Sequence, residues 1–131
     1  MKVLDTDVCI EILRGNTRVV ERRRTIDDTV VTTWITASEL AFGAAKSRAP
    51  EGNLTLVTEF LATLPVIGLD LPAALQFGEV KATLEGAGQR VADADLFIAS
   101  IALANGASLV TGNRRHYERI STLRVEDWIR G

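Results

Sequence analysis

The sequence predicts an α/β domain in which a central, mostly parallel sheet is flanked by helices. Two observations carry this. Short apolar or β-branched runs alternate along the chain with longer segments of helical periodicity, the pattern of a parallel sheet with helices on its faces. The 131 residues show no repeat, low-complexity stretch or linker, so they fit a single domain spanning 1–131 that builds its core without staples.

The elements follow in order. Val3–Leu4 reads as a short buried strand ending at Asp5. A helix over Asp7–Leu13 is stopped by Gly15-Asn16, and Thr17–Arg24 forms a second one with a basic end. Asp27-Asp28 marks a turn before the β-branched strand Val30–Thr33. Thr36-Ala37-Ser38-Glu39 is a capping-box pattern that opens a helix running to about Ser47. Pro50-Glu51-Gly52 reads as a loop, and Leu54–Leu64 as a helix ended by Pro65. Val66-Ile67 is a short strand. Pro72 in a first turn and Gly86 and Gly88 at the end bound the next helix. Asp93–Asn105 is another, with Gly106 suited to the position just past it. Ser108–Thr111 and Arg124–Glu126 complete the strands.

Composition narrows the class. Hydrophobic residues at 47% and charged residues at 24% are those of an ordinary globular domain. The one thiol, Cys9, cannot build a disulfide framework, and its apolar surroundings mark it as a buried small hydrophobe. The opening Met1-Lys2-Val3-Leu4-Asp5 lacks the layout of a signal peptide, and no apolar run approaches the ~18 residues of a membrane span. A cytoplasmic protein with no membrane partner is expected. The net charge of −2 does not advertise nucleic-acid binding, but an acidic metal site offsets basic surface elsewhere.

The polar residues at the strand ends carry the chemistry. Ligands of open α/β sheets bind outside the carboxyl ends of the strands. Asp5 ends the first strand, Asn113 closely follows the fourth, and Glu39, Asp93 and Asp95 lie near helix starts that open toward the same edge. Each has a local explanation: Glu39 as partner of a Thr36 cap, Asp93 or Asp95 as a helix cap. The set is harder to explain locally. The segment Leu96–Ala104 is apolar nearly all round, so its helix is buried, and the carboxylates at its start must be received by something. Clustered carboxylates repel one another and favour a cation. Oxygen ligands suit Mg²⁺ or Mn²⁺. Zinc lacks a His/Cys cluster, because His116 is the only histidine and reads as a surface residue.

Four motifs occur in order. Leu4-Asp5-Thr6-Asp7, Ser38-Glu39-Leu40, Asp95-Leu96-Phe97-Ile98-Ala99 and Thr111-Gly112-Asn113 together resemble those of PIN-domain ribonucleases, in particular VapC-like toxins of toxin–antitoxin pairs. The ending Leu123–Trp128 is similar to that family's last strand. The resemblance implies a PIN-like three-layer sandwich and hydrolysis of RNA phosphodiester bonds by metal-activated water. It makes Asp5, Glu39 and Asp95 the ligands of Mg²⁺ or Mn²⁺, with Asp93 either a further ligand or a helix cap. It has Thr6 and Thr111 orient the ligands. Asn113 stands where many relatives carry Asp, and its amide supplies no charge to a second ion. A VapB-like antitoxin and a homodimer are the implied partners. The dimer would use the apolar residues Leu40, Ala41, Phe42, Leu56, Phe60 and Leu61.

Two basic clusters are candidates for RNA contact: Arg114 and Arg115 with Arg119 near the proposed metal, and Arg22, Arg23 and Arg24, which equally suit a solvated helix face. Aromatic residues at 5% exclude an extended base-stacking platform. Two other readings remain. Asp5-Thr6-Asp7 resembles the opening of haloacid-dehalogenase-like phosphatases, in which Asp5 would be the nucleophile. That chemistry also needs a lysine at the phosphoryl group, and the only one after Lys46 is Lys81, inside a helix. The other is a PIN-like interaction module without catalysis, against which the full acidic set argues.

Overall fold

A computed structural model describes residues 1–131. Five strands, β1 (Lys2–Leu4), β2 (Val30–Thr33), β3 (Val66–Ile67), β4 (Ser108–Val110) and β5 (Val125–Glu126), form one sheet in the order β3-β2-β1-β4-β5. Every pairing is parallel. The chain winds outward from β1 through β2 to β3, then crosses back to place β4 against the other side of β1. The gap between the carboxyl ends of β1 and β4 is therefore the switch point at which such sheets hold ligands.

Seven helices cover the sheet: α1 (Thr6–Leu13), α2 (Thr17–Thr25), α3 (Trp34–Ala45), α4 (Pro50–Leu61), α5 (Leu71–Gly86), α6 (Asp93–Ala104) and α7 (Arg114–Tyr117). Successive strand residues point to opposite faces, and the core divides accordingly. Val3, Val31 and Leu109 pack with Leu84 of α5 and Leu96, Ile98, Ala99 and Ala102 of α6. Leu4 and Val110 pack on the other face with Val8, Val19, Leu40 and Phe60, from α1 to α4. The three-layer α/β expectation holds. Cys9 is fully buried in this second cluster, as expected, and burial pushes its thiol up to about 12. No helix is long and apolar enough to cross a membrane.

Several element boundaries differ from those the sequence suggests, each for a local reason. The capping hydroxyl of α3 is Thr33, whose Oγ1 accepts from the Thr36 amide at 3.1 Å. Thr36 is therefore inside the first turn, and Glu39 is no cap partner. α4 begins at Pro50, which occupies a first turn rather than a loop because its missing N–H would be unpaired there anyway. Asp70 caps α5 through the Ala73 amide. α6 has no side-chain cap: its N-cap is Ala92. Asp93 and Asp95 are therefore not used as caps. The short α7, four residues, was not foreseen.

Candidate metal centre

Asp5 is fixed from both sides. It caps α1 by accepting from the Thr6 amide at 2.9 Å, and its other oxygen accepts from the Thr111 hydroxyl at 2.8 Å. That second bond crosses the switch point from β1 to the end of β4. Thr111 Oγ1 in turn accepts from the Asn113 amide at 3.0 Å, which sets the loop beyond β4. Asp5 is only 6% exposed. Burial, then the charges of Asp7 and Asp95, hold its carboxyl up at about 6 against those two hydrogen bonds.

Glu39 is positioned by a hydroxyl relay. Thr6 Oγ1 donates to Glu39 Oε1 at 2.6 Å and lies 3.1 Å from Thr36 Oγ1. A threonine has one O–H. Since Thr6 gives its proton to Glu39, Thr36 is the donor to Thr6. The relay ties α3 to the start of α1. Asp7 Oδ2 accepts from the Gly112 amide at 2.8 Å, while its Oδ1 is buried and unpaired. Burial is the main reason its carboxyl lies above the ordinary value. Arg130 donates to the Gly112 carbonyl, and Asp127 accepts from the Ile129 and Arg130 amides, so the C-terminal segment clamps the same loop.

These groups line one cleft of about 260 Å³, formed by Asp5, Thr6, Asp7, Ile10, Glu39, Asp95 and Asn113. The structure thus brings together Asp5, Glu39, Asp95, Thr6 and Asn113, with Thr111 fully buried beneath Asp5. Asp93 is elsewhere: it pairs with Lys81 at 3.0 Å and lines a different cavity, so it is neither a cap nor a member of this cleft. No lysine lines the cleft, so nothing here favours a phosphatase nucleophile. The donor set is oxygen only, which fits a hard divalent cation. The carboxylates are not closed into a preformed cage, as no three Asp, Glu, His or Cys side chains meet at ligating distance.

Two further groups reach the site that sequence reasoning missed. His116 is not a free surface residue: α7 carries its Nε2 to 3.1 Å from Asp95 Oδ2, though too obliquely for a hydrogen bond. The Tyr117 hydroxyl is buried with no aligned partner, and burial with the charges of Asp5 and Asp95 pushes its phenol far above the usual range. Four residues are too short for periodicity to show, so the only signal was adjacency to Asn113. The basic residues separate. Arg24 pairs with Glu21, Arg23 donates to Thr63 and covers the Phe60 ring, and Arg115 lines neither this cleft nor the largest cavity.

A parallel sheet with an acidic oxygen cleft at its switch point defines the class. The PIN-domain pattern matches residues 2–122, and the chain belongs to that family. Its relatives are of the VapC type. A tRNA(fMet)-specific endonuclease VapC from Salmonella typhimurium is 37% identical over 127 residues, 96% of each chain. Ribonuclease VapC2 from Haemophilus influenzae is 33% identical over 128 residues, 97% of each. Among solved structures, DNA-bound VapBC from Salmonella typhimurium has a TM-score of 0.92 at 38% identity, over 97% of each chain. VapBC2 from Rickettsia felis, bound to a DNA fragment from its promoter, has a TM-score of 0.91 at 29% identity, over 97% of this chain and 98% of that one.

Proposed function

We propose that this chain is an endoribonuclease that acts as the toxin of a VapBC-like pair, with Mg²⁺ or Mn²⁺ held by Asp5, Glu39 and Asp95. The observation that carries the reading is the convergence of those three carboxylates, from the end of β1, from α3 and from α6, on one cleft at the switch point. Their relatives' names supply the activity and the antitoxin partner. A divalent ion bound there activates water and neutralises charge on a phosphodiester.

The chain's own residues do the rest. Burial of Asp5 and its two hydrogen bonds hold one carboxylate rigidly. The Thr36–Thr6 relay aims Glu39. Asn113 presents a neutral amide at the cleft, so the acidic set is one charge short of a site with Asp at that position. RNA, a VapB-like antitoxin and a second copy of the chain are the partners.

The test is cleavage of total RNA by the purified protein with Mg²⁺, with Mn²⁺ and with EDTA, repeated for Asp5→Asn, Glu39→Gln and Asp95→Asn. Metal-dependent cleavage lost in each folded variant is expected. Cleavage that persists in EDTA, or in all three variants, would remove the basis of the reading.

A further inference from the structure

The largest cavity of the molecule, about 650 Å³, is not the acidic cleft but a groove between α2 and the C-terminal segment. Arg18 and Arg22 of α2 face Arg114 of α7 across it. Sequence distance hides this: the two basic regions are far apart in the chain, and only one arginine from each candidate cluster enters the groove. The acidic residues of its lining are largely committed elsewhere. Glu21 is paired with Arg24, Glu126 with Lys2, and Asp127 with the Ile129 and Arg130 amides. None of the three guanidiniums forms an ion pair within the fold, although the charge of Arg22 contributes to holding the Glu126 carboxyl below its ordinary value. Arg18 donates one bond to the Ile129 carbonyl at 3.3 Å, and Arg114 one to the Val125 carbonyl at 3.1 Å. A guanidinium has five N–H donors, so Arg18 and Arg114 are anchored in place with most donors free, and all the donors of Arg22 are free.

We propose that this groove is the track for the RNA backbone, with Arg18, Arg22 and Arg114 contacting phosphates that flank the bond held in the acidic cleft. The proposal rests on the nuclease reading. The groove and the cleft are neighbours through the chain: Asn113 lines the cleft and Arg114, the next residue, lines the groove. A ligand that needs a cation at one point and arginines beside it is a polyphosphate strand, since Arg binds phosphate in bidentate fashion. An acidic protein segment fits less well. The lining has only Val125 and Trp128 as apolar residues, and Trp128 is buried, so peptide anchors are few.

The test compares wild type with the triple variant Arg18→Ala, Arg22→Ala, Arg114→Ala and with the corresponding triple Lys variant. Binding of a short single-stranded RNA is followed by fluorescence anisotropy in EDTA across a salt series, and steady-state cleavage is measured with metal. Each phosphate contact on a single strand contributes about 0.7 to the salt slope, so the Ala variant is expected to lose about 2 and to raise KM about tenfold, with kcat unchanged. The Lys variant keeps the slope, because the charges remain. If the triple Ala variant fails to fold, Arg22→Ala alone carries the test with a loss of about 0.7, because Arg22 is hydrogen-bonded within the fold only through its backbone, whose carbonyl accepts from Ile26 and Thr25, and not through its guanidinium. Folded variants with unchanged slope and KM, in a protein whose wild type cuts RNA, overturn the track and leave the nuclease standing. Poly-glutamate that binds wild type but not the Ala variant, with RNA binding equal in both, assigns the groove to a protein partner and also overturns it. A wild type that neither binds nor cuts RNA removes both readings together.

Discussion

Asp5 is pulled in opposite directions by its surroundings. The proposed metal site needs it as a carboxylate, yet burial and its neighbours hold it up at about 6 against an ordinary 3.8. A carboxyl raised on folding gives stability that is complete below the unfolded value and is withdrawn as pH climbs through the folded one. In EDTA, this one group is expected to withdraw on the order of 3 kcal/mol between about pH 4 and about pH 7. Asp5→Asn, which keeps acceptor and donor capacity at the same place, should flatten that fall and melt higher than wild type near pH 7. Parallel melting curves for the two proteins across this window would show that ionised Asp5 is tolerated without penalty. Thr6 acts one step further out. Thr6→Val removes the hydroxyl given to Glu39 and is expected to lower metal affinity or cleavage by about 10- to 100-fold, the usual effect of losing such a support. Thr6→Ser restores the relay, and calorimetric titration of Mn²⁺ into the three proteins measures it. A Cβ at Gly112 would stand 2.7 Å from Ile129 Cδ1 and 2.9 Å from Asp7 Oδ2, so both side chains must shift to admit one. Asp5, Glu39 and Asp95 were picked out together by the family resemblance; the strand end at Asp5 and the buried helix after Asp95 gave those two a physical reason of their own, whereas the local pattern at Glu39 pointed to a cap. The Thr36 donor, His116 and Tyr117 were not legible in the sequence, because each depends on where a separate element comes to rest.

At the scale of elements, α6 is the wall on which the site leans. Leu96, Ile98, Ala99, Ile101 and Ala102 are fully buried, so the apolar run read from the sequence is a packing requirement on nearly every side. Ile98→Ala is expected to destabilise the fold by about 2–5 kcal/mol, measured by urea unfolding. A loss well under 1 kcal/mol would mean that α5 and the sheet collapse onto the gap. The strands and the long helices could be read in advance because β-branched runs and helical periodicity are local properties. The starts of α3 and α4 were displaced because two hydroxyls, Thr33 and Thr36, offer equally good caps and because Pro50 suits a turn or a first helical turn alike. Strand order lay outside local pattern altogether. It is set by which face each crossover helix must cover.

Over the whole molecule, the apolar surface left uncovered extends beyond where residue patterns suggest. Of the residues expected at a dimer contact, Leu40 and Phe60 are spent in the core, while Phe42 and Leu56 remain exposed. A larger exposed set, Trp34, Leu69, Leu71 and Leu75, lies at the starts of α3 and α5; Trp34, Leu71 and Leu75 are 58%, 70% and 65% exposed. On the proposed reading the chain forms a homodimer, which is expected to use this second face, so Leu71→Glu with Leu75→Glu should dissociate it in sedimentation velocity. Dissociation by Phe42→Glu with Leu56→Glu instead would return the contact to α3 and α4. The bond between Asp5 and Thr111 has a different consequence, one in time rather than space. It joins residues 106 positions apart and depends on β4 lying against β1. Contacts of such long sequence separation form late, and chains are made from the N-terminus. While the chain is still being made, β1 and the Asp5 that follows it have no β4 beside them and therefore no finished site. On the nuclease reading, a ribosome-bound chain still lacking β4 is expected to cut no RNA, and activity is expected only once β4 has left the exit tunnel.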